Sequence, residues 1–265
     1  MSDSSILPQK PNNPNAPTLL VVIATFNEAE NLPVLVPRLL ELFPACRILV
    51  VDDDSTDGTG QWCDSFHNND PRLSVIHRVD QRGLGTATLA GFNWGLHRSF
   101  DLIATMDADL SYDPDKLLAM WDVLANDSGH KFGLVIGSRY VPGGGVRGWP
   151  WYRRIASWLV NRYVRWCLWL RTHDNTSAYR LYRSSSLRQI DLSAMTCTGY
   201  AYLEEILWRL QLENIEAVEV PIVFVDRVQG QSKVRTAVLF QSLFEILKMS
   251  AKNIFQQSRG KHDAS

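Results

Sequence analysis

From Thr18 to Met106 the chain alternates short apolar runs with stretches of helical periodicity, and this alternation constrains the fold more than any other feature. Leu19 to Ala24 is followed by Leu32 to Leu42, Ile48 to Val51 by Thr59 to Phe66, and Leu73 to His77 by Thr86 to His97. A fourth run, Leu102 to Met106, enters Asp107-Ala108-Asp109 and a helix opening near Pro114, and a fifth, Leu134 to Ile136, ends at Gly137-Ser138-Arg139. Strands alternating with helices predict an α/β fold with a mostly parallel central sheet flanked by helices. In such sheets ligands gather at the carboxyl ends of the strands.

The second half changes character. A glycine-rich loop (Gly143, Gly144, Gly145, Gly148) precedes a helical stretch rich in Arg and Trp, Tyr152 to Arg171. An extended segment, Ser177 to Tyr182, and a helix around Leu203 to Leu212 follow. Two apolar runs parted by Pro221, a polar loop from Arg227 to Lys233, and an amphipathic helix near Val238 to Phe255 complete the chain. No linker between Thr18 and Phe255 is polar enough to separate domains, so residues 18–256 are expected to form one domain. Residues 1–17, rich in Ser, Asn and Pro, read as a disordered tail and residues 257–265 as a flexible one.

Composition excludes several classes. A formal net charge of -1 provides no basic field for nucleic acid, so an anionic partner has to be met locally. The four cysteines are scattered without a C-x-x-C pair, which suggests neither a zinc site nor a disulfide framework. No signal or transit pattern opens the sequence, and a cytoplasmic protein is expected. The most apolar stretch, Ile155 to Leu170, is broken by Asn161, Arg162 and Arg165 and does not read as a spanning helix.

Three acidic or glycine-containing motifs sit where ligands gather. Asp107 and Asp109 directly follow an apolar strand; a turn there brings both carboxylates to one hard divalent cation, although D-x-D can equally be a solvated turn. Asp52-Asp53-Asp54 follows another strand; part of the segment to Gly58 can cap a helix, and a carboxylate there can accept hydrogen bonds from a ribose or base. Gly83-Leu84-Gly85 is not a dinucleotide fingerprint, because it does not follow the first strand and Thr88 stands at the sixth position.

Taken in order, Ala24-Thr25-Phe26-Asn27-Glu28, Val51-Asp52-Asp53, Gly83-Leu84-Gly85-Thr86-Ala87, Met106 to Leu110, Gly137-Ser138-Arg139-Tyr140, Trp149-Pro150, Arg153, Ser157, Asp226-Arg227 and Ser232-Lys233 resemble the family 2 glycosyltransferases of GT-A fold. Within them the chain is most similar to the dolichyl or polyprenyl phosphate mannosyltransferases. The resemblance covers roughly Thr18 to Lys248. It implies transfer of mannose from GDP-mannose to a polyprenyl phosphate at a membrane surface, with amphipathic interface helices in the C-terminal half. Carried over residue by residue, Ala24, Phe26, Glu28, Val51, Asp53 and Ala108 attend the nucleotide, and Asp107, Asp109 and Ser111 hold Mg²⁺ or Mn²⁺ on the diphosphate. Arg139, Arg153, Arg227 and Lys233 handle phosphates, and Ser157 lies beside the acceptor phosphate. Ser111 replaces a frequent Gln, Ala24 a frequent Pro, and Ala178 a frequent Gly. The alternatives are a polyprenyl phosphate glucosyltransferase using UDP-glucose and a non-catalytic nucleotide- or membrane-binding module.

A phosphate acceptor accounts for the lack of an evident general base, since a monoester with a second pKa of about 6 is largely a dianion at neutral pH. Glu204 and Glu205, where other family members carry a base, are read as structural or orienting. On a helical wheel Arg154, Asn161, Arg162 and Arg165 fall within an arc of roughly 100°, Ile155, Leu159, Tyr163, Val164, Trp166 and Leu170 populate much of the remainder, and Trp158 and Trp169 fall on the Arg side. That make-up predicts a basic helix lying in the membrane interface, with the C-terminal helix or a membrane-anchoring partner subunit as the alternative attachment.

Overall fold

The alternation becomes strands joined by crossover helices. β1 (Leu19–Thr25) is followed by α1 (Leu32–Leu42), β2 (Arg47–Asp52) by α2 (Thr59–Asn69), β3 (Leu73–His77) by α3 (Leu84–His97), and β4 (Leu102–Thr105) by α4 (Lys116–Ala125). The second half contains β5 (Phe132–Ser138), β6 (Gly145–Arg147), α5 (Trp151–Leu168), β7 (Arg180–Arg183), the short α6 (Ser184–Leu187), α7 (Tyr202–Leu212), β8 (Glu216–Pro221) and β9 (Val223–Val225). The computed structural model describes residues 16–197, 199, 201–226 and 242–251, the last segment being helical.

Seven strands pair in the order β3-β2-β1-β4-β7-β5-β8, and β6 with β9 forms a separate two-stranded ribbon. Every pairing in the large sheet is parallel except those of β7, which is wedged antiparallel between β4 and β5. A parallel sheet is covered on both faces, which is why its strands read as nearly continuous apolar runs. In β1 the alternating side chains serve two cores: Val21 and Ile23 join α1 and α4, while Leu20 and Val22 join α3, α5 and α7.

Close approach on the second face depends on glycine. A Cβ at Gly91 of α3 would lie 2.3 Å from the Val22 side chain, and one at Gly95 would lie 2.6 Å from Leu20. Their absence lets α3 lie directly on β1 and so fixes the height of the loop that precedes α3 above the sheet. Because β1, β2 and β4 are parallel, and β5 runs the same way through β7, which is antiparallel to both β4 and β5, residues 25–28, 52–57, 106–111 and 138–140 collect along one edge of the sheet.

Candidate active site

At that edge the loop after β1 is tied to the loop after β2. Ser55 Oγ accepts from the Asn27 amide (2.8 Å), Thr59 Oγ1 from the Glu28 amide (2.9 Å), and Asp57 from the Ala29 amide (3.0 Å). Asp57 also accepts from the Thr59 amide at the start of α2 (3.0 Å), but the N-cap itself is Gly58, in the left-handed region at φ 97°, rather than Asp57 or Ser55. Asp52 turns inward to the hydroxyls of Thr25 (3.1 Å) and Ser55 (2.5 Å). Asp53 is buried; the Gly83 amide donates to its Oδ2 (2.8 Å), and Arg78 Nη1 lies 2.8 Å from its Oδ1. Burial pushes the Asp53 carboxyl above its ordinary value, opposed by the Gly83 amide and the Arg78 guanidinium. Arg78 also donates to Thr86 Oγ1 (2.6 Å), so the loop before α3 hangs on this pair. Half-buried Phe26 carries the Arg82 guanidinium 4.4 Å from its ring centroid, and Ala24, also half-buried, sits beside buried Val51 in the β1–β2 register.

Asp107, Ala108 and Asp109 follow β4 at the middle of the edge. Asp107 is half-buried, while Ala108 and Asp109 are buried. Both the amide of Ser111 (3.1 Å) and its hydroxyl (2.5 Å) donate to Asp109 Oδ1. Ser111 therefore orients the carboxylate, leaving only its lone pairs for any ligand of its own. The chain turns at Leu110 with φ 59°, a left-handed conformation that a leucine adopts only when its surroundings impose it. Two carboxylates are an all-oxygen donor set suited to a hard divalent ion. Among the described residues no cluster of three or more His, Cys, Asp or Glu gathers here, so a metal would complete its shell with water or ligand oxygens.

The far side of the edge is basic. Arg139, at the end of β5, is buried and locked to Asp174 by Nε to Oδ2 (2.8 Å) and Nη2 to Oδ1 (2.7 Å), and Nη2 also donates to Thr176 Oγ1 (2.7 Å). The Asp174 carboxylate raises the Arg139 pKa further above its ordinary value against the opposing effect of burial. Its Nη1 amino group makes no hydrogen bond among the described residues. Glu219 Oε1 accepts from the Asp174 amide (2.9 Å), and Arg180, wholly buried, ties the same loop by donating to the carbonyls of Asn175 (2.6 Å) and Ser177 (2.8 Å). Arg153, in the first turn of α5, stacks 4.1 Å above Trp149 and meets Asp226 at 3.0 Å. Ser157, one turn later, receives a 2.7 Å hydrogen bond from the Tyr140 hydroxyl.

The expected residues thus fall into three adjoining groups, at the ends of β1 and β2, after β4, and between β5 and α5. Arg227 and Lys233 lie outside the described residues. The sequence alone marks no role for Asp174, Thr176, Tyr140 or Arg78; its one signal there is the polar run 174–177 ahead of a buried strand. Glu205 is structural, accepting from the amides of Thr196 and Cys197 and pairing with Arg209 at 2.8 Å. Glu204 is buried, with one carboxylate oxygen that has no hydrogen bond among the described residues, and burial pushes its pKa up to about 7.

Further along α5 the surface is aromatic and basic. Trp151, Trp158, Trp166 and Trp169 are exposed, the last two by 78% and 77%. With Leu159, Arg162 and Arg165 the last three border an open groove of about 820 Å³. Asn161 departs from the helical-wheel expectation: it is buried, because its side chain accepts from the Asn175 amide (2.7 Å) and donates to Thr176 (3.1 Å). Among the described residues no helix is long and apolar enough to cross a membrane.

A helix-covered, mostly parallel sheet whose carboxyl edge joins an acidic cleft, a D-x-D turn and a basic side is that of a GT-A glycosyltransferase. Residues 20–191 match glycosyl transferase family 2, and the chain belongs to that family. It is 43% identical over 242 residues to a polyprenol monophosphomannose synthase of Mycolicibacterium smegmatis, covering 91% of this chain and 90% of that protein. It is 40% identical to an undecaprenyl-phosphate mannosyltransferase of Micrococcus luteus, covering 87% and 93%. A solved mannosyltransferase of Pyrobaculum calidifontis, in complex with GDP-Man and Mn²⁺, shares the fold with a TM-score of 0.52 at 15% identity, over 92% of this chain and 76% of that one.

Proposed function

We propose that this glycosyltransferase transfers mannose from GDP-mannose to the phosphate of a polyprenyl lipid, with inversion, while resting on a membrane surface. The observation that carries the reading is the continuity of α5: Arg153 and Ser157 stand at its start, and an exposed Trp-Arg face follows on the same helix. A helix so built would bring a lipid phosphate to Arg153 and Ser157 while its indoles and Arg stems sat at headgroup depth. Similarity to the two phosphomannose-forming relatives, spread over most of both chains, supports the acceptor class.

Asp107 and Asp109 would hold Mg²⁺ or Mn²⁺, with Ser111 keeping Asp109 aimed. When bound, the ion would neutralise charge developing on the departing diphosphate. The Arg82–Phe26 stack and the Asp53 carboxylate, held by Arg78 and Gly83, would line the nucleoside. On the opposite side Arg139 Nη1, Arg153 and Ser157 would grip the acceptor phosphate, so that charge and position replace a general base. An acceptor with a second pKa of about 6 attacks as the dianion and gives up no proton to the protein. Arg227 and Lys233 are proposed on the diphosphate from their place in the resemblance alone. Turnover of radiolabelled GDP-mannose with a short polyprenyl phosphate, set against UDP-glucose, tests the reading.

A further inference from the structure

The α5 end of the site contains a hydrogen-bond chain whose direction is set by chemistry. Tyr140 comes from the turn after β5 and Ser157 from the second turn of α5, and their oxygens are 2.7 Å apart. A phenol is a far stronger acid than an aliphatic alcohol, so the proton between them belongs to Tyr140. Burial raises the Tyr140 pKa further, and the phenol remains a proton donor throughout the working range. A serine hydroxyl has one proton and two lone pairs. With a lone pair occupied by Tyr140, and no acceptor on its own proton among the described residues, Ser157 keeps that proton for a ligand.

The surroundings hold both oxygens in place. Asn161, one turn beyond Ser157, donates to the Ser157 carbonyl (3.0 Å) and to Thr176 Oγ1 (3.1 Å). Thr176 in turn accepts from Arg139 Nη2 (2.7 Å), and the Arg139 guanidinium lies 5.5 Å from the Tyr140 ring. Tyr140 is thus braced by the residue next to it in sequence while its hydroxyl reaches a helix 17 residues away.

We propose that Tyr140 is a positioning residue for the acceptor: by donating to Ser157 Oγ it turns the serine into an obligate donor to the incoming phosphate monoester. The inference rests on the proposed prenyl phosphate acceptor and adds to it a residue that does not touch substrate. Tyr140→Phe keeps the ring and removes the hydroxyl, and with it both the directing proton and the contact to the Asn161 side chain. A free serine can then rotate its proton toward a backbone carbonyl, and a hydrogen bond to an anionic oxygen is lost part of the time.

The test is a double-mutant cycle of Tyr140→Phe and Ser157→Ala in the full chain, read as KM for a short-chain polyprenyl phosphate and, separately, for GDP-mannose. Ser157→Ala should raise the acceptor KM by about tenfold, the usual scale for one hydrogen bond to a charged group, and Tyr140→Phe by a smaller, severalfold factor. Neither should move the GDP-mannose KM, and the double variant should be no worse than Ser157→Ala alone. Multiplying effects, or a Tyr140→Phe acceptor KM equal to that of wild type, overturn the proposal while leaving the acceptor reading intact. A wild-type enzyme that forms no mannosyl phosphate lipid overturns both.

Discussion

Arg139 and Asp174, 35 residues apart in sequence, form a buried ion pair with parallel hydrogen bonds of 2.8 and 2.7 Å. Removing one member leaves the other as an uncompensated charge, at a cost of about 3–5 kcal/mol. Asp174→Asn should therefore lower the urea midpoint substantially and cut turnover, because Arg139 Nη1 would no longer be held at the acceptor side. A stability loss below about 1 kcal/mol would show that water already screens the pair. Arg139→Lys, which keeps the charge but loses the fork, should fold and still turn over slowly.

Glu204 gives the stability curve a pH signature. Its folded pKa, pushed up to about 7 chiefly by burial, lies above the ordinary 4.5; Arg180 pulls it back while Asp174 and Glu245 add to the rise. A raised carboxyl contributes stability that is full below pH 4.5 and is lost as pH rises through about 7. Glu204→Gln should match wild type near pH 4.5 and be more stable at pH 8, by about 3 kcal/mol from the size of the shift. A difference between the two proteins that does not change with pH would contradict this.

The structure explains which parts of the molecule could be read from its sequence. Strands β1 to β5 and helices α1 to α4 were legible because a sheet buried on both faces demands unbroken apolar runs and each crossover helix announces itself by its period. β7 was legible as an extended segment, but its antiparallel seat between β4 and β5 was not, since strand pairing across some 75 residues leaves no local trace. The D-x-D turn and Arg139 stood out by position at strand ends. The partnership of Arg139 with Asp174 did not, nor did burial of Asn161, because both depend on the loop before β7 folding back under α5. On a wheel a polar residue looks solvated; here a backbone amide needed its oxygen.

Two carboxylates are a thin metal site. Mn²⁺ should bind the free protein weakly and much more tightly with GDP present, whose diphosphate completes the oxygen shell. Calorimetry with Mn²⁺, with and without GDP, checks this; equal affinity in both titrations would contradict it. Asp109→Asn should remove the coupling and lower turnover by roughly a hundredfold or more. Ser111→Ala should weaken the coupling less, since the serine orients Asp109 through a 2.5 Å hydrogen bond.

Trp158, Trp166 and Trp169 are exposed by 51%, 78% and 77%, so replacing all three with Ser should cost little stability. Flotation with vesicles should show lost binding, and the KM for a long-chain polyprenyl phosphate should rise while that for a short, water-soluble analogue changes little. A folded triple variant that floats like wild type would move membrane attachment to residues 242–251 or to a partner subunit.

The central claim is tested most directly by incubating the purified protein with Mn²⁺, a short polyprenyl phosphate and either radiolabelled GDP-mannose or UDP-glucose, and counting label in the organic phase. The account predicts label from GDP-mannose that disappears with excess chelator and with Asp107→Ala. Transfer from UDP-glucose alone, or undiminished transfer in the presence of chelator, would contradict it.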